Sequence, residues 1–275
     1  MEVTLLGTGD TTGTPTPGCD CATCETAVER GVERTRFSVH VANERTGEAL
    51  LVDASPDFRY QFLERDVALP DAAVITHIHF DHLDGLGNAY RLLRDLPVYA
   101  ADETDPETGE SVAGTVRRRY DYLDAVTVEA VTPLESFATC GFDVTLVPVD
   151  HPPLVCYGVV VKDPKTGAKL AITGDTSYGV PDPSRERLAD ADLLLADGIV
   201  PARLCEHHPL GGKHHDDDDG VPRTFGTKHM TFEGARALAD DVDPGAFRIV
   251  HVSHFPEPAE VFGGAMAVDG ERFRL

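Results

Sequence analysis

The sequence predicts a layered α/β domain whose working site lies at the ends of its strands. Three observations carry that reading. Short apolar runs of strand character alternate with helical patterns along most of the chain. Histidine and aspartate stand repeatedly just after such a run, where open α/β sheets place their ligands. No internal repeat and no linker interrupts the pattern, so residues 1–275 read as one domain around one core.

Taken in order, strand-like runs occupy Val3–Leu6, Phe37–Ala42, Ala49–Val52, Ala72–Thr76, Val98–Ala100, Val144–Val149, Tyr157–Val161, Lys169–Thr173, Asp192–Ala196 and Phe247–Val252. Two of the gaps, Asn43 to Gly47 and Asp163 to Gly167, are rich in turn residues and predict hairpins. Helical patterns cover about Pro56–Arg65, Leu83–Arg94, Pro183–Leu188 and Thr231–Asp240, the last with Thr231 as its N-cap. The stretch at about His207–Thr227 is dense in Gly, Pro, Asp and His, lacks periodicity and predicts an exposed insertion.

Charge narrows the partners. Against 47 acidic residues stand 24 basic ones, a formal net charge of −23, and only five residues are lysine. The acids are spread along the chain, which fits a surface adapted to high salt better than a site for a cationic partner. The run Asp216 to Asp219 reads as a solvated loop. No basic patch offers itself to a long nucleic acid, so a nucleic-acid partner is not favoured. No apolar run approaches the roughly 20 residues that cross a bilayer, and the N-terminus lacks a basic n-region. A cytoplasmic protein with no membrane partner is therefore expected.

The chemistry is concentrated in His77, His79, Asp81 and His82, directly after the apolar run that ends at Thr76. His77 and His79 are two apart and face one way in extended backbone, whereas Asp81 and His82 lie past the turn and face a second point. That layout suits two metal ions with nitrogen and oxygen ligands, of the Zn, Mn or Fe kind. His151, Asp175 and His251 each close a strand run and complete the set. His77, His79 and His151 would hold one ion, Asp81, His82 and His251 the other, with Asp175 bridging. Such a pair lowers the pKa of a shared water and polarises the scissile group, so neither Ser nor Cys is needed as nucleophile.

A second cluster, Cys19, Cys21 and Cys24, puts three thiols into a Gly/Pro-rich loop at about 17–26. In a reducing compartment this favours a structural zinc over disulfides, and it requires a fourth ligand. Cys140, Cys156 and Cys205 are scattered and read as small hydrophobes.

In the order and spacing of His77, His79, Asp81, His82, His151, Asp175 and His251, the chain resembles the metallo-β-lactamase superfamily over essentially its whole length. The resemblance implies an αββα sandwich, two mixed β-sheets flanked by helices, with two catalytic divalent metals (Zn or Mn) at the sheet edge. It leaves the substrate open, since members include lactamases, glyoxalase II enzymes, nucleases and phosphodiesterases. Leu6 to Pro15 followed by the Cys cluster is similar to the phosphoribosyl cyclic phosphate phosphodiesterases. There the fourth structural ligand lies three residues past the last catalytic His, which here is His254. In the same branch, and in tRNA 3′-end nucleases, a His at the place of His229 acts as general acid on the leaving alkoxide.

The resemblance thus implies His229, with Asp81 and Asp175, as catalytic residues, and a small or cyclic phosphate diester as substrate. The alternatives are a tRNA 3′-end-type nuclease and a catalytically silent metal-holding factor, like the pyrroloquinoline-quinone biosynthesis branch. Two features depart from the pattern: the His/Asp-rich insertion has no counterpart, and the long basic arm of the tRNA nucleases is missing. Dimers are common among such relatives, so a homodimer is expected on resemblance alone.

Overall fold

Runs such as Tyr157–Val161 and Leu193–Ala196 are apolar at every position, which suits strands buried on both faces. In the computed structural model, which describes residues 1–106, 108–207, 215 and 219–275, they are the centre of a two-sheet sandwich. The strands in chain order are β1 (Glu2–Gly7), β2 (Ser38–Ala42), β3 (Ala49–Val52), β4 (Ala72–Val74), β5 (Leu96–Ala101), β6 (Val126–Val131), β7 (Ser136–Thr139) and β8 (Phe142–His151). They continue as β9 (Leu154–Lys162), β10 (Lys169–Ile172), β11 (Leu193–Asp197), β12 (Thr224–Phe225), β13 (His229–Met230), β14 (Phe247–Val250) and β15 (Arg272–Arg274). One sheet has the order β15-β1-β2-β3-β4-β5-β6 and the other β14-β11-β10-β9-β8-β7, with β12 and β13 forming a separate ribbon. Both large sheets are mixed. β3 to β6 run parallel beside antiparallel β1 and β2, and β10, β11 and β14 run parallel beside antiparallel β7 to β9.

Side-chain alternation divides the core. Val159, Val161, Leu170, Ile172, Leu193 and Leu195 face the first sheet and join Val39, Leu50, Val52 and Val74. Their neighbours Val160, Ala171, Leu194 and Ala196 face outward onto α6 (Asp182–Leu188) and α7 (Phe232–Val242) through Leu188, Phe232, Ala235 and Leu238. Removing one such Leu would leave a cavity and cost roughly 2–5 kcal/mol. The other sheet is covered by α2 (Phe58–Arg65) and α5 (Val112–Arg119). Among the described residues no helix is long and apolar enough to cross a membrane.

Both expected hairpins form, between β2 and β3 and between β9 and β10. Thr231 caps α7, its hydroxyl accepting from the Gly234 amide at 3.0 Å. The helix expected over Leu83–Arg94 is instead α3 (Phe80–Leu83), a 3-10 turn at Asp84–Asn88 and the short α4 (Ala89–Leu92), broken by Arg91 at φ 64°. Gly85 lets the 3-10 turn lie against the Ala54–Ser55 backbone, since a Cβ there would lie 2.0 Å from the Ser55 carbonyl oxygen. The Cys loop is half helix, for Cys21 is the N-cap of α1 (Ala22–Arg30). The insertion is exposed only in part: Thr224 and Gly226 are buried and β12 pairs with β13. Residues 208–214 and 216–218, where most of the His/Asp-rich run falls, lie outside the described residues.

Candidate metal centre

The parallel strands of both sheets end at one edge, and their exits carry the candidate ligands. His77 follows β4, while His79 is the N-cap residue of α3, whose first turn presents Asp81 and His82. His151 ends β8, Asp175 follows β10, and His251 follows β14 at φ 60°. The structure thus brings together all seven residues singled out in the sequence.

Three imidazoles converge on one point. His79 Nδ1 lies 3.0 Å from His77 Nε2 and 3.3 Å from His151 Nε2. An ion about 2.0–2.1 Å from each nitrogen in tetrahedral array would set them about 3.3 Å apart. Burial holds His77 well below the ordinary histidine value and His151 down at about 3, so both rings are neutral and can donate a lone pair. The His151 ring is oriented by its Nδ1, which donates to the Lys228 carbonyl at 2.9 Å.

Asp81, His82 and His251 form the second group. Asp175 Oδ2 stands between the two groups, 3.3 Å from both His82 Nε2 and His251 Nε2 and 3.7 Å from His77 Nε2. Burial opposes charge on His82 and His251, but the carboxylates around them prevail. His82 is held well above its ordinary value by Asp175 and Asp53, and His251 at about 9 by Asp175 and Asp81. His82 Nε2 and His251 Nε2 are buried yet have no hydrogen-bond partner. Buried nitrogens are rarely left so; two aimed at one carboxylate oxygen fit ligands of a divalent cation. The donor set therefore fits two divalent ions.

Sequence reasoning missed two further acids. Asp53, just after β3 at φ 59°, accepts from His82 Nδ1 at 2.6 Å and is itself held by the Thr76 amide and hydroxyl, each at 2.8 Å. Asp197, the last residue of β11, accepts from His229 Nδ1 at 3.1 Å. Each closes an apolar strand run, the signal that had pointed to Asp175 and His251.

His229 stands beside both groups, its ring 4.9 Å from that of His251 and 5.0 Å from that of His151. A pocket of about 240 Å³ opens over the centre, lined by Asp10, Thr11, Phe80, Ile199, Lys228 and His229 besides the ligand candidates.

The Cys cluster also closes up. His254 Nδ1 lies 3.4, 3.5 and 3.6 Å from the sulfurs of Cys19, Cys21 and Cys24. Zinc–sulfur and zinc–nitrogen bonds of about 2.3 and 2.05 Å in tetrahedral geometry imply an S···N edge of about 3.6 Å, so these four residues fit one ion. Cys140, Cys156 and Cys205 are buried outside this cluster, their thiols donating to the carbonyls of Ala49, Asp175 and Thr224 at 3.5, 3.3 and 3.6 Å.

By sequence, the chain is 36% identical over 259 residues to an octanoyltransferase of Porphyromonas gingivalis, a match covering 92% of this chain and 46% of that protein. It therefore spans less than half the length of that relative. It is 25% identical over 335 residues to the ribonuclease Z of Halobacterium salinarum, covering 99% of this chain and 94% of the relative. By structure, it is similar to a diphosphatase from the PhnP family with a TM-score of 0.77 at 26% identity, covering 99% and 96% of the two chains. Zinc-bound PqqB from Methylobacterium extorquens shares the fold with a TM-score of 0.76 at 24% identity, covering 100% of both. These relatives and the clustered His and Asp residues support a metal-dependent hydrolase in general. Residues 48–252, a span that takes in every candidate ligand from His77 to His251, match the Beta-lactamase superfamily domain, and the chain belongs to that family.

Proposed function

We propose that the chain is a dinuclear metal-dependent phosphodiesterase acting on a small or cyclic phosphate diester. The observation that carries this reading is His229. Its Nδ1 donates to the buried Asp197 carboxylate, and its ring edge lines the pocket beside both ligand groups. An imidazole so held directs Nε2 toward a bound substrate and can deliver a proton to the leaving alkoxide. A phosphate diester with a poor leaving group needs that proton more than an activated lactam does.

When bound, the two ions would supply a neutral-pH hydroxide and charge stabilisation. His77, His79, His151, Asp81, His82, Asp175 and His251 would hold them. The remaining steps belong to the chain. Asp53 and the Lys228 carbonyl orient the rings of His82 and His151. Asp197 also accepts from the Thr176 and Met230 amides at 3.1 and 3.2 Å, which fixes the carboxylate that steadies His229 once it is charged. The likeness to a diphosphatase and to a ribonuclease Z supports P–O hydrolysis. The net charge of −23 speaks for a small substrate over a tRNA body.

The test is turnover of bis-p-nitrophenyl phosphate, a 2′,3′-cyclic nucleotide, a ribose cyclic phosphate and a precursor tRNA, with Mn or Zn, at low and molar salt. Turnover of the small diesters with the tRNA intact is expected. Cleavage of the tRNA would make the chain a nuclease, and silence at full metal occupancy would make it a metal-holding factor.

A further inference from the structure

Two loops join the Cys cluster to the candidate metal centre. The first is the turn from His251 to His254, which carries a ligand candidate of each site with only Val252 and Ser253 between them. The second runs from β1 to α1, with Asp10 and Thr11 lining the pocket over the centre and Cys19, Cys21 and Cys24 toward its far end. Val252 is held from both sides: its amide donates to the Thr8 carbonyl at 3.1 Å, and the Asp10 amide donates to its carbonyl at 3.4 Å. The Ser253 amide and hydroxyl both donate to the carbonyl of Ile199, another residue of the pocket wall, at 3.1 and 2.8 Å. Beyond that point the loops meet again at the cluster itself and at Thr23, whose hydroxyl donates to the Pro256 carbonyl. Both loops run outside the helices and the large sheets, so the cluster closes them as a clasp.

The clasp is open to oxidation. Cys19 and Cys21 are half-buried, and a cavity of about 520 Å³ is lined by Cys19, Cys24 and the acids Asp20, Glu25 and Glu29. Such a rim turns anionic reagents away and leaves a neutral peroxide free to enter. Cys21 and Cys24 form a C-x-x-C pair, with Cys21 as the N-cap of α1 and its sulfur accepting from the Cys24 amide at 3.5 Å. That spacing and that place belong to thiol pairs that cycle to a disulfide. The remaining thiols, Cys140, Cys156 and Cys205, are buried.

We propose that Cys21 and Cys24 are a peroxide-sensitive pair whose state sets how firmly the centre holds the ion of the Asp81, His82, His251 group. With an ion on Cys19, Cys21, Cys24 and His254 the clasp is shut, and His251, at φ 60°, stays aimed at Asp175. On exposure to hydrogen peroxide the Cys21 thiolate attacks one oxygen, the O–O bond breaks and hydroxide leaves, giving a sulfenic acid. The Cys24 thiolate then attacks that sulfur, forms the S–S bond and expels the second oxygen as hydroxide. Two protons from solvent turn both hydroxides into water, and the two sulfurs have supplied the two electrons. Only Cys19 and His254 then remain as donors, too few to retain the ion. The His251 turn and the Asp10–Thr11 wall loosen together, so Cys21 and Cys24 are positioning residues that act through His251. None of this depends on which bond the centre hydrolyses, only on its ligands.

The native chain tests this, with zinc left on the thiolates and the centre stripped by a mild chelator and refilled with manganese. A few equivalents of hydrogen peroxide should release one equivalent of zinc to a chromophoric chelator and yield a Cys21–Cys24 disulfide in the peptide mass map. Titrated after desalting, one of the two manganese steps should be about tenfold weaker, the scale of a lost orienting contact. It should be the step that Asp53→Asn also weakens, since Asp53 orients the His82 ring of that group. The other step and the circular dichroism should not change, and dithiothreitol with zinc should restore the original titration. Cys21→Ser should show the weakened step before any peroxide and no further change with it; if that variant misfolds, the native comparison alone decides. Zinc and free thiols that survive the peroxide overturn the oxidisable pair. Zinc loss with both manganese steps unchanged overturns the coupling, and so does collapse of the dichroism with both steps lost, which would leave the cluster a structural site only.

Discussion

Replacing Asp53 by Asn keeps shape and volume but changes one acceptor into a donor, at a side chain that touches no substrate. In the native protein one carboxylate oxygen takes the Thr76 amide, and the other takes both the Thr76 hydroxyl and His82 Nδ1, at 2.8, 2.8 and 2.6 Å. The Thr76 hydroxyl can rotate, but its amide and the ring cannot. If the new amide group faces His82, the ring must accept at Nδ1 and carry its proton on Nε2, the atom aimed at Asp175. If it faces the Thr76 amide, two donors meet in a fully buried site. Either arrangement costs about 1–3 kcal/mol, which is roughly 10- to 100-fold in affinity for an ion held by His82. Metal content per chain after graded dialysis against a chelator measures this. Loss of one equivalent at a chelator strength the wild type survives is expected, with the His77, His79, His151 group and the Cys cluster still loaded. Wild-type retention of every equivalent would refute His82 Nε2 as a ligand atom and, with it, the role given to Asp53.

Four further outcomes follow from the geometry. His229→Ala should keep its metals yet slow hydrolysis of an alkyl or cyclic diester by roughly 10²–10⁴-fold. The loss should be far smaller for a nitrophenyl ester, and equal losses on both would make His229 structural. Cys24→Ser should lower the zinc content by about one equivalent and the melting temperature by several degrees, with an unchanged zinc content counting against the Cys site. Ion uptake should depend on pH at one half of the centre. Without ions His82 is held well above its ordinary value and His251 at about 9, so both carry protons near neutrality and compete with the cation. Raising the pH removes those protons, so affinity of the Asp81, His82, His251 group should climb as the pH rises from neutrality toward 9. The neutral His77 and His151 make the other half nearly flat there, and zinc titrations at stepped pH separate the two. Finally, with a net charge of −23, the chain should melt at lower temperature in dilute buffer than in molar KCl, and a melting point independent of salt would remove the high-salt reading of its surface.

The donors clustered from His77 to His82 were legible because the chemistry is dense enough to need no fold to interpret it. His151, Asp175 and His251 were legible because each ends an apolar run. Asp53 and Asp197 end such runs too, Leu50–Val52 and Leu193–Ala196, but a lone acid after a strand is also an ordinary turn residue. Only the packing of β3 beside β4 brings Asp53 under the His82 ring. Strands β6 and β7 escaped notice as half-exposed edge segments with polar residues between apolar ones, and β15 as a three-residue pairing at the sheet's far edge. Helix α1 was hidden because its cap is a cysteine, read for its thiol and not for its place before a helix. The helix over Leu83–Arg94 was over-read, since a 3.6-residue pattern reveals neither the tightening to a 3-10 turn at Asp84–Asn88 nor the non-helical backbone of Tyr90 and Arg91.

The spacing of the Cys cluster and His254 along the chain has a meaning beyond coordination. Cys24 and His254 are 230 residues apart, and nothing local in the sequence holds them together. An ion shared by them closes a loop of that length, as a crosslink would. By the loop-entropy rule such a closure withdraws about 5 kcal/mol of freedom from the unfolded ensemble. Much of what the ion contributes would therefore be felt by the disordered chain, as states it can no longer visit, and it would shift the equilibrium toward the native state even where the folded protein without it looks the same.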